Sequence, residues 1–454
     1  MRYAPDLAAF GEFVAGLQDV PAAVIERGRT IILDSIGCIV AGQRTAEMRV
    51  LVASEAARGA GPSTVLGRRS ALPAAAAAFV NGTAGTWLDL DEGNLHTKGH
   101  PGIQILPAAF AAAETADRSG AELLLSLVAA YEVSCRIYGA TAARLAVHPH
   151  GTFGPLAAAL ALAKQQGSPA DRIAETMAVG ATLGLASSRG TLRDGATVRN
   201  AYTGLSGRLG FVALDLVAAG FTGEHDALAS VFGKIYGEAY TPAKAVAGLG
   251  RDWLILRNYF KLHPTGRYVH SALDLVDAVV AQCGGSLDPN AIDRIEVDTY
   301  AFAATMAQQT VETPFGTRFS IPYAVASRLL GADRDITADG SAVLASPAIR
   351  DLAQRVWVSE VPEFTADYPA RQRSRMRLRL RDGRLLTAAA ELIKGEPEHP
   401  HSPAELEEKF LTLVRPAWRD RSETALSALR SIDRAPSVRE LGRQLRDMSA
   451  EERP

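Results

Sequence analysis

The chain has 454 residues, 47% hydrophobic and 22% charged, with a formal net charge of −2; this is the balance of a soluble globular protein too long for one ordinary core. Lys and Arg are spread along it, so nothing resembles the basic footprint of a nucleic-acid-binding protein. Its three cysteines, Cys38, Cys135 and Cys283, match no CxxC spacing, which argues against a disulfide framework, a zinc site or a cysteine-ligated cluster and makes a reduced cytoplasm the expected location.

The N-terminus, MRYAPDLAAFGEFVAGL, is broken by acidic residues and reads as no signal peptide. The apolar runs further on are Ala-rich and interrupted, so no membrane span is expected. Ile31, Ile32, Ile36 and Ile39 fall near one face of a predicted helix over 27–41, which Gly42 closes. Further helices are predicted over 72–80, 105–115 with Pro107 in the first turn, 122–138, 154–164 and 208–219. The composition then changes. Alternation predicts strands over 292–300, 376–380 and 385–390, the last two joined by the hairpin signal Asp382-Gly383, with a weaker strand over 356–364. Helical patterns at 269–282 and 321–330 surround them, and from Pro403 the chain reads as helix again. The expected fold is mainly α with an inserted α+β domain. A smaller α+β unit, roughly residues 265–395, is thus expected to interrupt a helical protein.

Five polar segments interrupt this scaffold. The first, from Asp89 to His100, holds Asp89, Asp91, Glu92, Asn94, His96, Lys98 and His100 between apolar flanks. Carboxylates, imidazoles and an ammonium together suit proton transfer beside an anion. Pro101 restricts His100 to an extended backbone and so aims its ring; the bland alternative is a solvated acidic loop. The second is VHPHGTFG, with His148 and His150 ahead of a buried helix. The third, GATVRNAYTGLSGR, has Arg199 and Arg208 as possible carboxylate clamps but neither GxGxxG after a strand nor GxxxxGK, so no nucleotide is expected. The fourth, YFKLHPTGRYVH, puts Lys261, His263, Arg267 and His270 at the change in composition, where an interdomain cleft would lie. The fifth, TRFSIPYA, offers Arg318, Ser320 and Tyr323. No His-x-x-x-His or Glu-x-x-His spacing presents metal ligands on one helical face, so no metal is expected.

In this order, LDSIGCIVAG, AAFVNGTAGTWLDLDEGN, HPGIQILPAAFAAAE, HPHGTFGPLAAALALAK, GATVRNAYTG, GFTG, YFKLHP and RFSIPYAVA resemble the MmgE/PrpD family over almost the whole chain. That family includes 2-methylcitrate dehydratases, cis-aconitate decarboxylases and iminodisuccinate epimerases. The resemblance implies a large helical domain built from both chain ends, residues 1–264 and 396–454, with a smaller α+β lid domain, residues 265–395, inserted between. It also implies a homodimer that works without metal or organic cofactor on a small di- or tricarboxylate in a cleft between the two domains. By position it implies catalytic roles for Asp89, His100, His148, Lys261 and Tyr323, and substrate contacts from Arg199, with His150, Lys98 and Arg267 beside them. Gly93 stands where the cis-aconitate decarboxylases have a threonine, Gly266 where they have a histidine, and Arg199 where the family usually has lysine.

The chemistry this implies is proton transfer at a carbon next to a carboxylate. Cations neutralise the developing charge, His100 and His148 share the roles of base and acid in either order, Asp89 orients an imidazole or raises its basicity, and Tyr323 donates to the substrate or the leaving group. Asp91, Glu92 and His96 are read as structural. The leading expectation is a cofactor-independent lyase that hydrates or dehydrates a 2-methylcitrate-like hydroxy acid. An iminodisuccinate-like epimerase and a cis-aconitate-type decarboxylase follow, with an idle polycarboxylate-binding protein as the non-enzymatic alternative.

Overall fold

The computed structural model describes residues 2–449, and it is mainly helical. The helices that position the polar segments are α1 (Ala22–Gly42), α2 (Ala74–Gly85), α3 (Pro101–Ala116), α4 (Gly120–Gly139), α5 (Gly154–Gln165) and α6 (Val198–Ala218). They share one hydrophobic core, to which Phe410, Val414 and Trp418 of a late helix, α7 (Pro403–Trp418), also belong. A second core, built from residues between Val269 and Leu380, lies under a four-stranded sheet. Its strands are β1 (Ile292–Thr299), β2 (Val356–Glu360), β3 (Ser374–Leu380) and β4 (Leu385–Ala390), in the order β4-β3-β1-β2. β1 and β2 pair in parallel, and the other neighbours are antiparallel. The hairpin turns at Asp382-Gly383, where Gly383 takes a φ of 90° that glycine adopts without a Cβ penalty.

Several helices differ from their predicted bounds for local reasons. α3 begins at Pro101, so Pro107 sits inside the helix and not in its first turn. α6 begins at Val198, ten residues before the predicted start, and this places Arg199 in its first turn. The strand expected over 356–364 stops at Glu360, and Pro362 opens a short helix. Helix α2 runs on past Val80 through Asn81-Gly82-Thr83 to Gly85, with a glycine at the point where it meets α6. A Cβ on Gly82 would sit 2.8 Å from the Gly204 Cα, and one on Gly204 would sit 2.1 Å from the Phe79 carbonyl oxygen. The two glycines therefore let α2 and α6 touch backbone to backbone. That crossing brings the loop after α2, which carries Asp89, against the start of α6, which carries Arg199.

The loop is also held from the C-terminal side of the chain. Lys409 of α7 is buried and donates to Asp34 Oδ1 at 2.5 Å and to the Leu90 carbonyl at 2.7 Å. Asp34 Oδ2 in turn accepts from the Glu92 amide at 3.0 Å. From the second core, buried Arg318 donates to the carbonyls of Leu88, Pro264 and Ala338 at 3.1, 2.7 and 2.6 Å. One segment is thus gripped by residues far apart in sequence.

Candidate active site

Most of the loop from Asp89 to His100 is buried rather than solvated: Asp89, Asp91, Glu92 and Asn94 are each at most 1% exposed, while Leu95 and His96 are half-buried and Lys98 is exposed. Gly93 and Asn94 pair antiparallel with Tyr259 and Asn258, so the first and fourth polar segments form a two-stranded ribbon. Asp89 adopts a φ of 53°, a left-handed conformation that an aspartate tolerates at a cost of about 1 kcal/mol. Its carboxylate lies between two buried cations, Arg199 Nη2 at 2.6 Å and Lys261 Nζ at 3.1 Å. Lys261 also donates to the Asp89 carbonyl at 2.6 Å.

The aspartate that meets an imidazole is Asp91. Its Oδ2 is 2.8 Å from His100 Nδ1, and its backbone carbonyl is 3.2 Å from the same nitrogen. Burial pushes the Asp91 carboxyl upward, but His100, Lys261 and Arg199 outweigh it and hold the group ionised, down at about 2. In the neutral form of the ring, the proton on Nδ1 faces Asp91 and Nε2 is the lone-pair nitrogen. The imidazole contact expected of Asp89 is thus made by Asp91, and Asp89 pairs with the two cations.

His148, His150 and His100 stack edge to face, with ring centroids 4.5 Å apart for His148–His150 and 4.8 Å for His100–His150. The His150 amide donates to His148 Nδ1 at 3.0 Å, which assigns the His148 proton to Nε2. Burial first, and then Arg199, drive both His148 and His150 well below the ordinary histidine range, so both rings are neutral near pH 7. Both His150 ring nitrogens are buried without a partner among the described residues.

These groups surround a cavity of about 40 Å³ lined by Asp89, Lys98, His100, His148, His150 and Arg199 from the helical side. Arg267, Tyr268, Phe302, Met306 and Phe319 close it from the side of the second core. Arg189 and Tyr259 also line it, and neither was singled out in the sequence. Tyr259 was legible in principle, because it lies two residues before Lys261 on an extended segment and so shares its face. Arg189 carries no local signal; it arrives through a loop whose Arg189 side chain donates to the Val147 carbonyl at 2.9 Å. Arg267 is anchored by Glu396 at 2.7 Å, and its guanidinium lies 4.7 Å from the centre of the Tyr259 ring. Tyr323 packs in the second core and is not among the cavity-lining residues. Arg208 pairs with Glu55 away from the cavity, and His263 packs on His270. A larger cavity of about 380 Å³ lies beside Asn258 and Phe260, but its Arg29 and Arg430 are already answered by Asp433 and Glu407.

Of the cations that line the smaller cavity, Arg199 is answered by Asp89 and Arg267 by Glu396, whereas Lys98 and Arg189 have no carboxylate partner among the described residues. Such a lining favours a small polyanion. Asp91, His100 and His150 also present ligand atoms within 4.8 Å of one another. Asp91 is already committed to His100, however, and Lys261 and Arg199 lie close enough to act on its charge. The same positive field that suits an anion opposes a divalent cation there.

Comparison with known proteins accords with this arrangement. The MmgE/PrpD N-terminal domain matches residues 8–242, and the MmgE/PrpD C-terminal domain matches residues 263–433. A cis-aconitate decarboxylase of Aspergillus terreus is 24% identical over 430 residues, covering 87% of this chain and 86% of its own. A cis-aconitate decarboxylase-like protein of Aspergillus oryzae is 26% identical over 309 residues, covering 62% of this chain and 60% of its own.

Proposed function

The chain belongs to the MmgE/PrpD family, and from that premise we propose that it is a cofactor-independent lyase that dehydrates a small hydroxy di- or tricarboxylate. The observation that carries the reading is the Asp91–His100 pair facing a cavity where Lys98 and Arg189 have no carboxylate partner among the described residues. A proton on carbon beside a carboxylate becomes removable only when the charge that develops on that carboxylate is neutralised. Arg199, Lys98, Arg189 and Arg267 supply that neutralisation, and Lys261 fixes Asp89 between the cations.

His100 Nε2 takes the carbon-bound proton, and Asp91 stabilises the imidazolium that results. The C–H electron pair forms the new double bond as the β C–O bond breaks. The imidazolium then returns its proton to the departing hydroxide, which leaves as water. His148 does not carry a proton in this scheme. With Nδ1 occupied by an amide it serves as a neutral Nε2–H donor to the substrate carboxylate, where charge gathers. The cavity is far smaller than the roughly 300–1,000 Å³ of ordinary ligand pockets, so a tricarboxylate enters only when the two sides of the cleft separate.

Decarboxylation is the second reading, favoured by what the Aspergillus relatives are named for. There a C–C bond breaks, carbon dioxide leaves, and a protonated His100 delivers its proton to the carbon. The test is product analysis with citrate, 2-methylcitrate and cis-aconitate. Loss of water from a hydroxy acid supports dehydration, and carbon dioxide from cis-aconitate with no dehydration of either hydroxy acid replaces it with the second reading. Equal products with and without enzyme remove both.

A further inference from the structure

We propose that Tyr259 is a substrate-contacting residue of this site, its phenol donating a hydrogen bond to a substrate oxygen, and that Gly93 must lack a side chain to seat that phenol. The inference rests on the polycarboxylate reading above and names the residue that selects within that class.

Tyr259 lines the cavity and is 4% exposed; its hydroxyl makes no hydrogen bond among the described residues, and it is not one of the fully enclosed unpartnered atoms, so it stays open for a partner to reach. A buried phenol ordinarily finds one, because an unsatisfied O–H in a protein interior is costly. Its surroundings are polar. The ring lies edge-on to His100, centroids 6.3 Å apart, and beneath the Arg267 guanidinium. The hydroxyl therefore sits where a carboxylate held by Arg267 and worked on by His100 would complete its hydrogen bonding.

Its position depends on Gly93, its antiparallel partner in the ribbon. A Cβ on Gly93 would come 2.3 Å from the Tyr259 hydroxyl oxygen and 2.4 Å from the ring carbon that bears it. Neither glycine's φ nor a tight turn demands this residue, since Gly93 is not among the positive-φ glycines. What demands it is the space the phenol occupies. Burial also drives the phenol well above its ordinary range, so it stays protonated and acts as a donor.

Three variants and one inert probe test this. Tyr259→Phe keeps the ring and removes only the hydroxyl. Because that hydroxyl has no protein partner, the variant is expected to melt at or above the wild-type temperature while kcat/KM falls about 10- to 100-fold, the effect of losing a hydrogen bond to a charged group. The affinity for tricarballylate (propane-1,2,3-tricarboxylate), measured by calorimetry, should fall by a similar factor. Gly93→Ala should reduce both quantities by displacing the phenol. In a Tyr259→Leu background, where neither the hydroxyl nor the clash remains, Gly93→Ala should change them less than twofold. Wild-type affinity and kcat/KM in Tyr259→Phe would overturn the proposal and leave the lyase reading intact, as would equal effects of Gly93→Ala in both backgrounds. A wild-type protein that binds no tricarballylate and converts none of the polycarboxylates would remove the lyase reading, and this proposal with it.

Discussion

At the scale of single residues, the roles follow from which charged group meets which. Asp89 and Asp91 are two positions apart, but one is clamped by Arg199 and Lys261 and the other by His100. Replacing His100 with Gln removes the proton carrier and should lower kcat by a hundredfold or more, with little change in the urea midpoint. Asp91→Asn leaves the ring in place but cannot stabilise the imidazolium, so kcat should fall while KM for the polycarboxylate stays within a few-fold. Asp89→Asn should act differently. It leaves two buried cations without their carboxylate, a defect that typically costs about 3–5 kcal/mol, so the urea midpoint should drop sharply together with activity. A variant as stable as the wild type would show that Asp89 is not the structural hub described here. The ligand atoms of Asp91, His100 and His150 call for one more test. Dialysis against a chelator should leave turnover unchanged; loss that a divalent cation restores would assign this cluster to a metal.

At the scale of elements, the site depends on how closely α2 and α6 cross. Gly204→Ala places a methyl against the Phe79 carbonyl, and it should lower the melting temperature and also kcat/KM, since spreading the helices moves Arg199 from Asp89. Unchanged activity at lower stability would separate the crossing from the site. Much of this framework was legible in the chain. Period-3.6 apolar patterns marked the helices, and Asp382-Gly383 marked a hairpin because only a narrow set of residues turns two strands so tightly. The dense polar loop and the cations of the third and fourth segments pointed to a cleft. What stayed hidden were the pairings. Alternation along the loop does not say which aspartate will face His100, because that depends on a ribbon with residues 258–259, far off in sequence. Arg189 was equally hidden, reaching the cavity through a loop without periodicity. The early start of α6 was missed because Arg199 and Asn200 look polar, and they are buried only by the second core and the Asp89 loop.

At the scale of the whole molecule, helix α7, helix α1 and the sheet-bearing core all hold the same loop, through Lys409, Asp34 and Arg318. Glu92 is a fully buried titratable group within that arrangement. It accepts from the Gly102 amide at 2.8 Å and Tyr131 at 2.9 Å, yet burial dominates and pushes its carboxyl up to about 8. The unfolded chain releases this proton near the ordinary value of 4.5, whereas the folded protein holds it until about 8. Its contribution to stability is therefore complete below 4.5 and is lost as pH rises toward 8. Glu92→Gln, which keeps the neutral form, should flatten this dependence. The difference in urea midpoint between variant and wild type should grow in the variant's favour from pH 5 to pH 8; a constant difference would show that Glu92 is ionised in the fold.

The central claim is proton transfer at a carbon beside a carboxylate, with His100 as the carrier. Incubating the protein in deuterium oxide with a panel of citrate-like and succinate-like acids, and reading each acid by NMR, tests it most directly. At least one hydroxy acid should lose water and take up solvent deuterium at the carbon next to its carboxylate, and His100→Gln should abolish both changes. Recovery of every acid unconverted and free of deuterium from the wild-type protein would contradict it.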